Sequence, residues 1–272
     1  MGRISRALTI ASSDSGGGAG IQADLRAFAA AGCHGSTAIV ALTAQNTTEV
    51  TAIHAVPSDF IVAQIDAVFD DIGVDAAKTG MLFSAEIIET VAAALAPRRV
   101  PLVVDPVMVA SSGARLLHED AVQVMVRRLF PLAAVVTPNL PEARLLTGSQ
   151  GSRRDLAERL CAMGAAAVIV TGGHGEPAVD HLFDGIDHIE IQVPRHAIAA
   201  SHGAGCTHSA TLAALLAQGW ALPDAAAAAA DVASRAVAAG IVEIGAGEGP
   251  VDVLGVRGRA RPLPVLTGGR SA

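Results

Sequence analysis

The sequence predicts an α/β fold in which helices cover both faces of a mainly parallel sheet. Short β-rich runs alternate with longer amphipathic segments from residue 8 to residue 171, and this alternation requires crossover connections. Polar clusters follow the predicted strands directly, and ligands of open parallel sheets bind at those ends. No long Pro/Ser-rich or charged linker interrupts the 272 residues, so we expect a single domain over 1–272.

The predicted elements alternate in order along the chain. Strands of β-branched and apolar residues are expected at 8–11, 36–42, 75–79, 101–105, 133–137 and 166–171. Amphipathic patterns between them predict helices at 19–31, 58–70, 84–96, 119–129, 140–147 and 153–163. The alternation of strands and helices then ends. Runs 178–183 and 188–193 flank an Asp-Gly turn and indicate an antiparallel hairpin. Helices are expected at 205–218 and 223–240, and the Gly/Pro-rich part from residue 245 is expected to be irregular.

Composition limits the classes of partner. The net charge of −7 and the low aromatic content argue against a nucleic-acid-binding face. No uncharged apolar stretch is long enough to span a bilayer, so no membrane contact is expected. The three cysteines are scattered and suit a reducing, cytoplasmic compartment. A small molecule is therefore the expected partner, and Lys78 is the only lysine available to a site.

The segment 201–209 places two glycines and a cysteine at the start of a predicted helix. Glycines let backbone amides approach a ligand closely, and the first helical turn has unpaired N–H groups at the positive end of the helix dipole. We therefore expect the amides of Gly203, Ala204, Gly205 and Cys206 to bind an anion such as a phosphoryl group. The spacing is neither that of a Walker A loop nor that of a dinucleotide fingerprint.

Several polar clusters are expected to meet at one edge of the sheet. Because the carboxyl ends of parallel strands share an edge, residues just after each strand are candidates for a single site. The clusters are 12–20, 43–47, 78–81, 105–108, 137–142 and 171–174. Six polar clusters on one rim are hard to explain as ordinary turn residues alone.

These strings resemble those of the ribokinase-like superfamily and, within it, of the hydroxymethylpyrimidine/phosphomethylpyrimidine kinases of thiamine biosynthesis. The resemblance covers nearly the whole chain, from residue 7 to at least residue 216. It implies a three-layer α/β/α fold, ATP with Mg²⁺, and two successive phosphorylations of an aminopyrimidine alcohol. The most specific strings are GGAGIQAD at 17–24, AQNT at 44–47, KTGM at 78–81, VDPVM at 104–108, TPNLPEA at 137–143 and HGAGCT at 202–207.

The resemblance assigns Cys206 the role of general base toward the substrate hydroxyl. A helix N-terminus lowers the pKa of a thiol, and a thiolate can accept that proton. The cradle amides of residues 203–206 are expected to contribute more to the rate, because phosphoryl transfer depends mainly on alignment and charge neutralisation. Without the resemblance, a buried packing role for Cys206 would be favoured slightly.

The resemblance also implies a set of substrate-binding residues. Gln45 is expected to bind the aminopyrimidine edge, because its side-chain amide offers a donor beside an acceptor. Asp24 contacts the substrate or serves only the dipole of the first helix, and both readings stay open. Met81 packs on the ring or in the core. Ser12 and Thr43, at the ends of the first two strands, complete the set.

The nucleotide end is expected to include Asp105, Asn139, Thr171 and Gly173, with Glu142 acting on Mg²⁺ through water. Mg²⁺ keeps several waters and takes few direct carboxylates, which suits an isolated glutamate. Asn139 and Glu142 also form a good helix start. Many relatives carry a lysine where this chain has Thr171. The residues expected to bind the ATP phosphates therefore depart from the family pattern at this position.

The histidines show further departures. His174, His202 and His208 lack metal-ligand spacing, so solvent-facing or structural roles are expected. His208 stands where relatives often have an apolar residue, and Ser12 stands in place of a glycine that is common in relatives.

Two other functions remain open on the sequence. A pyridoxal or pyridoxine kinase shares the fold and some of the strings, although a pyridine ring lacks the exocyclic amine that Gln45 would bind. A non-catalytic ligand-binding relative would also fit the change at Thr171. A dehydrogenase is disfavoured by the glycine spacing. The superfamily often forms dimers, so a homodimer is expected.

Overall fold

A single nine-stranded sheet runs through the described part of the chain. The computed structural model describes residues 3–108, 117, 119–173, 176–198 and 200–259. The strand order is β3-β2-β1-β4-β5-β6-β7-β8-β9. The strands are β1 (Arg6–Asp14), β2 (His34–Gln45), β3 (Val50–Ala55), β4 (Ala76–Thr79), β5 (Leu102–Val104), β6 (Val135–Val136), β7 (Val168–Val170), β8 (Val179–Phe183) and β9 (His188–Gln192).

Six central strands are parallel and the strands at both edges are antiparallel. Strands β2, β1, β4, β5, β6 and β7 pair in parallel, so their carboxyl ends reach one rim. Strand β3 pairs with β2 in antiparallel register, and β8 and β9 form the hairpin predicted from the Asp-Gly turn. The predicted α/β class and mainly parallel sheet are confirmed.

Helices cover the two faces of the sheet, as predicted. They are α1 (Gly20–Ala30), α2 (Ser58–Ala67), α3 (Ala85–Leu95), α4 (Glu119–Arg128), α5 (Leu140–Thr147), α6 (Arg153–Ala162), α7 (Ala204–Ala217), α8 (Leu222–Ala238) and a short α9 (Val256–Arg259). One buried cluster lies between the sheet and α2–α6, and the other lies between the sheet and α1, α7 and α8. Helix α7 is rich in small residues and is buried on most sides, because it packs against α1, α8 and the sheet together.

Two elements differ from the sequence prediction. Strand β3 was not predicted, because it lies at an edge with both faces largely exposed and therefore lacks an alternating apolar pattern. The helix predicted over 58–70 is α2 followed by a turn of π-helix at Val68–Ile72, which ends at Gly73. The part after residue 245 is irregular except for α9, and residues 260–272 lie outside the described residues.

Candidate active site

The loop after β1 is organised by the buried carboxylate of Asp14. Asp14 accepts hydrogen bonds from the amides of Gly16 at 2.8 Å, Gly18 at 3.0 Å and Ala19 at 2.8 Å. Its Oδ2 also lies 3.1 Å from Nε2 of His202. Burial raises the pKa of Asp14, but the bonds from His202 and the amides outweigh burial and hold the pKa below its ordinary value. Asp14 therefore stays charged and fastens the glycine loop to the segment before α7.

The predicted anion cradle begins at Gly203, immediately before α7. Gly203 has φ +85°, and a Cβ there would lie 2.0 Å from the carbonyl oxygen of Gly18, so only glycine fits this close approach. In the described part of the chain, no side chain caps α7 by a hydrogen bond. The amide of Ala204 donates to Ser201, which leaves Gly205 and Cys206 as first-turn amides without an intrahelical acceptor. A Cβ on Gly205 would face open space, which leaves room for a ligand beside the cradle.

A buried charge cluster lies beneath Cys206. Nζ of Lys78 lies 2.8 Å from Asp24 and 3.9 Å from Asp105. Thr9 donates to Asp24 at 2.6 Å, and Ser209 donates to Asp105 at 2.8 Å. Burial lowers the pKa of Lys78, but Asp24, Cys206 and Asp105 outweigh burial and raise it, so the ammonium stays charged.

This cluster corrects the expected role of Asp24. The carboxylate is fully buried, and Lys78 and Thr9 bind its oxygens. Such burial argues against a direct substrate contact and equally against a role limited to the helix dipole. Asp24 instead balances the charge of Lys78, the only lysine in the sequence.

Cys206 is partly exposed in the first turn of α7, close to Lys78, Asp24 and Asp105. Burial of the thiol is the largest effect and raises its pKa to about 12. Lys78 and the amide of Gly20 act to lower this pKa, whereas Asp24 and Asp105 act to raise it. The expected lowering of the pKa is therefore wrong, and the thiol keeps its proton at neutral pH.

The residues expected to bind the pyrimidine lie together at the ends of β1, β2 and β4. The hydroxyl of Ser12 donates to the carbonyl of Met81 at 3.0 Å, which joins two strand ends. Thr43 donates to the side-chain oxygen of Gln45 at 3.1 Å, and Ser15 holds the Gln45 backbone. Gln45 is half-buried, whereas Ser12, Thr43 and Met81 are buried. The structure thus brings four of the five predicted substrate residues to one part of the rim.

The predicted nucleotide residues also lie together. Thr171 pairs with Asn139, and its amide donates to the carbonyl of Pro138 at 2.9 Å. Asn139 caps α5 and accepts from Glu142 N–H, while the Glu142 carboxylate accepts from Asn139 N–H, so the predicted helix start is confirmed. A Cβ on Gly173 would face open space.

The carboxylates of Asp105 and Glu142 fit a hydrated divalent cation. Burial raises the pKa of Glu142 to about 8, and the negative charge of Asp105 raises it further. Two interacting carboxylates of this kind bind a cation in exchange for a proton. Among the residues described, no group of three or more His, Cys, Asp or Glu forms a metal site. Two carboxylates with coordinated water and ligand oxygens still suit Mg²⁺.

Sequence reasoning missed two contributors to the site, Ser209 and the partnership of His202 with Asp14. Ser209 could have been found, because it follows Cys206 by three positions and therefore shares its helix face. The other pair is separated by 188 residues and carries no local signal. His202 and His208 are both buried, which agrees with structural roles, and His174 lies outside the described residues.

The end of the described chain also reaches the site. Residues 245–251, here called the C-terminal strap, cross the loop at residues 46–48. The amide of Gly247 donates to Thr47 Oγ1 at 3.1 Å, and His202 exchanges backbone bonds with Gly249 and Val251. The strap therefore joins the loop at residues 46–48 to the segment before the cradle. No helix in the described ranges has both the length and the apolarity to cross a membrane.

Comparison with known proteins supplies independent findings. The sequence model of the phosphomethylpyrimidine kinase family matches residues 14–252. The hydroxymethylpyrimidine/phosphomethylpyrimidine kinase of Rhizobium meliloti (strain 1021) is 48% identical over 253 residues, which cover 90% of this chain and 95% of that protein. The thiamine biosynthesis bifunctional protein ThiED of Geobacter sulfurreducens is 50% identical over 255 residues. That match covers 90% of this chain but 51% of ThiED, so the chain spans about half of the bifunctional protein.

Solved structures share the same architecture. The ADP complex of Bacillus subtilis pyridoxal kinase has a TM-score of 0.85 and 36% identity to this chain. The match covers 94% of this chain and 99% of that structure. It confirms the expected ribokinase-like fold.

Proposed function

This chain belongs to the phosphomethylpyrimidine kinase family, and we propose that it phosphorylates 4-amino-5-hydroxymethyl-2-methylpyrimidine to its monophosphate and then to the diphosphate in thiamine biosynthesis. The kinase family implies ATP as phosphoryl donor. One observation carries the proposal: the anion cradle before α7 faces the same rim as Gln45 and the Asp105–Glu142 pair.

In the proposed reaction, the hydroxymethyl oxygen forms a bond to the γ-phosphorus while the bond to the β,γ-bridging oxygen breaks and ADP leaves. The cradle amides of Gly205 and Cys206 stabilise the negative charge on the transferring group. Asp105 and Glu142 would hold Mg²⁺, which when bound neutralises charge on the phosphates. Gln45 orients the ring, so that the hydroxymethyl group points toward Cys206.

Cys206 is the proposed acceptor of the hydroxyl proton. Its pKa of about 12 makes the thiolate scarce at neutral pH. The base role therefore requires a lower thiol pKa in the reacting complex. For that reason the amides carry the larger part of the proposed rate enhancement.

A coupled assay of ADP release tests the function. Hydroxymethylpyrimidine, its monophosphate and pyridoxal are compared in parallel with ATP and Mg²⁺. We expect kcat/KM for hydroxymethylpyrimidine to exceed that for pyridoxal by at least about tenfold, the discrimination that one matched polar contact provides. The reverse preference would identify a pyridoxal kinase, the alternative that the shared strings and the structural similarity above support. Binding without ADP release would identify a non-catalytic relative.

The role of Gln45 has a separate test. Replacing Gln45 with Leu removes both hydrogen-bonding groups at nearly constant size, so KM for hydroxymethylpyrimidine should rise about tenfold or more while KM for ATP stays within about twofold. Gln123→Leu, on the exposed side of α4, is the matched control and should behave like the wild type. Equal pyrimidine KM values in the two variants would remove Gln45 from the binding site.

The proposal extends to the state of the protein in the cell. The cysteines at 33, 161 and 206 are all free, which favours a reducing compartment such as the cytoplasm. A homodimer is proposed from the family resemblance, and light scattering after size-exclusion chromatography tests it. The substrate is a small molecule, and neither nucleic acid nor a membrane is a proposed partner.

A further inference from the structure

A buried contact joins α7 to β8 behind the cradle. Nε2 of His208 lies 3.1 Å from Oδ2 of Asp180, and both side chains are at least nine-tenths buried. His208 lies two positions beyond Cys206 in the same helix, and Asp180 is the second residue of β8. The contact therefore connects the helix that carries the cradle to the antiparallel hairpin at the edge of the sheet.

The second oxygen of the Asp180 carboxylate holds the turn that follows β7. The amide of Gly172 donates to Oδ1 of Asp180 at 2.6 Å. A Cβ on Gly172 would lie 2.6 Å from the backbone of Val179, so the turn lies directly against the start of β8. On its other side, the amide of Thr171 donates to Pro138. Two hydrogen bonds therefore hold the turn, one on each side. The Gly172 amide donates to a side chain, that of Asp180, whereas the Thr171 amide donates to a backbone carbonyl.

A histidine at position 208 carries a free-energy cost. Neither ring nitrogen has a hydrogen-bond partner among the described residues, although Nε2 lies beside the carboxylate. Burying an imidazole without hydrogen bonds is unfavourable, and an apolar ring of the same size would pack there without that penalty. A polar ring at this position is explained if its contact with Asp180 has a role in the site.

We propose that His208 is a positioning residue for the nucleotide. Because its Nε2 lies beside Oδ2 of Asp180, His208 limits the orientations open to that carboxylate, keeps Oδ1 on the Gly172 amide and so fixes the turn from Thr171 to Gly173. The χ2 torsion of aspartate is broad, so without His208 the carboxylate loses one of the contacts that set its orientation. The inference rests on the proposed function and on the expectation that Thr171 and Gly173 bind the nucleotide.

The kinetic test uses His208→Phe, which keeps a ring of similar size. We expect KM for ATP to rise about five- to tenfold, while KM for hydroxymethylpyrimidine stays within about twofold. Asp180→Asn should change KM for ATP in the same direction. The double variant should be no worse than Asp180→Asn alone, because both changes break one chain of contacts. His34→Phe, at the exposed start of β2, is the matched control.

A second readout does not depend on catalysis. In protein labelled with ¹⁵N-glycine, the Gly172 amide should exchange its hydrogen faster in His208→Phe than in the wild type, with no ligand present. Unchanged exchange at Gly172, or equal rises in both KM values, would overturn the proposal. An inactive wild type would overturn the proposed function instead, and Gly172 exchange would still decide whether His208 acts through Asp180.

Discussion

Cys206 lies where opposing charges act on its thiol proton. Lys78 favours the thiolate, whereas Asp24 and Asp105 together with burial favour the thiol, and the balance puts the pKa at about 12. The same three charged groups surround the base of the cradle. A single lysine thus serves two purposes, because it neutralises Asp24 and limits the negative potential at the thiol.

The first prediction concerns Cys206→Ala. We expect kcat to fall at least about tenfold while KM for the pyrimidine changes little, because the thiol is proposed to accept the hydroxyl proton and the ring is proposed to bind at Gln45. Initial-rate measurements with both substrates varied give the two constants. Cys161→Ala, on α6, is the control and should retain full kcat. An alanine variant at 206 with wild-type turnover would exclude the thiol from the mechanism.

The start of α5 places a carboxylate with an unusual pKa beside a strand end. Glu142 completes a capping box with Asn139, which anchors the helix, yet burial and Asp105 hold its pKa at about 8 instead of the ordinary 4.5. The folded protein therefore binds this proton more tightly than the unfolded chain does. The stability that the protonated group contributes is complete below about pH 4.5 and is lost as the pH rises to about 8.

The second prediction follows from this loss of stability with rising pH. The difference in free energy of unfolding between wild type and Glu142→Gln should move in favour of the variant as pH rises from 5 to 8, by about 1.4 kcal/mol for each pH unit at most. The glutamine keeps a side-chain oxygen for the capping bond. Urea unfolding at several pH values measures the difference, and two parallel stability curves would contradict the assigned pKa.

The C-terminal strap has no periodic pattern of apolar residues, so its path could not be predicted from the sequence. Gly247 lies so close to the loop at 46–48 that a Cβ there would be 1.9 Å from the carbonyl oxygen of Thr47. Gly245 has φ +77°, so the strap turns at a backbone conformation that favours glycine. The strap therefore packs directly on the loop that follows Gln45.

The third prediction is that Gly247→Ala displaces this loop. Overpacking costs about 1–3 kcal/mol, and the shift should raise KM for hydroxymethylpyrimidine about tenfold with little change in KM for ATP. Steady-state kinetics and a thermal melt measure both effects. Gly258→Ala, where a Cβ meets nothing within 4 Å, is the control. Unchanged KM and stability in the Gly247 variant would show that the strap does not shape the loop.

The parts of the fold with local signals were predictable. Alternating apolar patterns gave the parallel strands and most helices, and the Asp-Gly turn gave the β8–β9 hairpin. Strand β3 was missed because its exposed faces carry no pattern. The site residues at strand ends were predictable from topology, whereas the pairing of Lys78 with Asp24 required knowing which side chains α1 and β4 bury together.

At the scale of the whole molecule, the site is assembled from parts far apart in sequence. The ends of β1, β2 and β4 carry the residues proposed to bind the pyrimidine, and those of β5, β6 and β7 carry or precede the residues proposed to bind the nucleotide. The proposed cradle lies at the start of α7. The hydrophobic clusters on both faces of the sheet hold these ends in register. A ligand that contacts several of these parts binds only the folded chain, so its binding should stabilise the whole fold.

The fourth prediction uses this linkage and needs no turnover. Hydroxymethylpyrimidine at about a hundred times its Kd should add about 2.7 kcal/mol to the free energy of unfolding. For a chain of this size, that corresponds to a rise in Tm of about 5–10 °C, measured by scanning calorimetry. Pyridoxal at the same concentration should give a clearly smaller rise, because its ring lacks the amine that Gln45 is proposed to bind. Since the measurement reports binding alone, equal shifts with the two alcohols would contradict the role of Gln45 even if phosphorylation of both were observed. No shift with either would show that neither alcohol binds the folded chain.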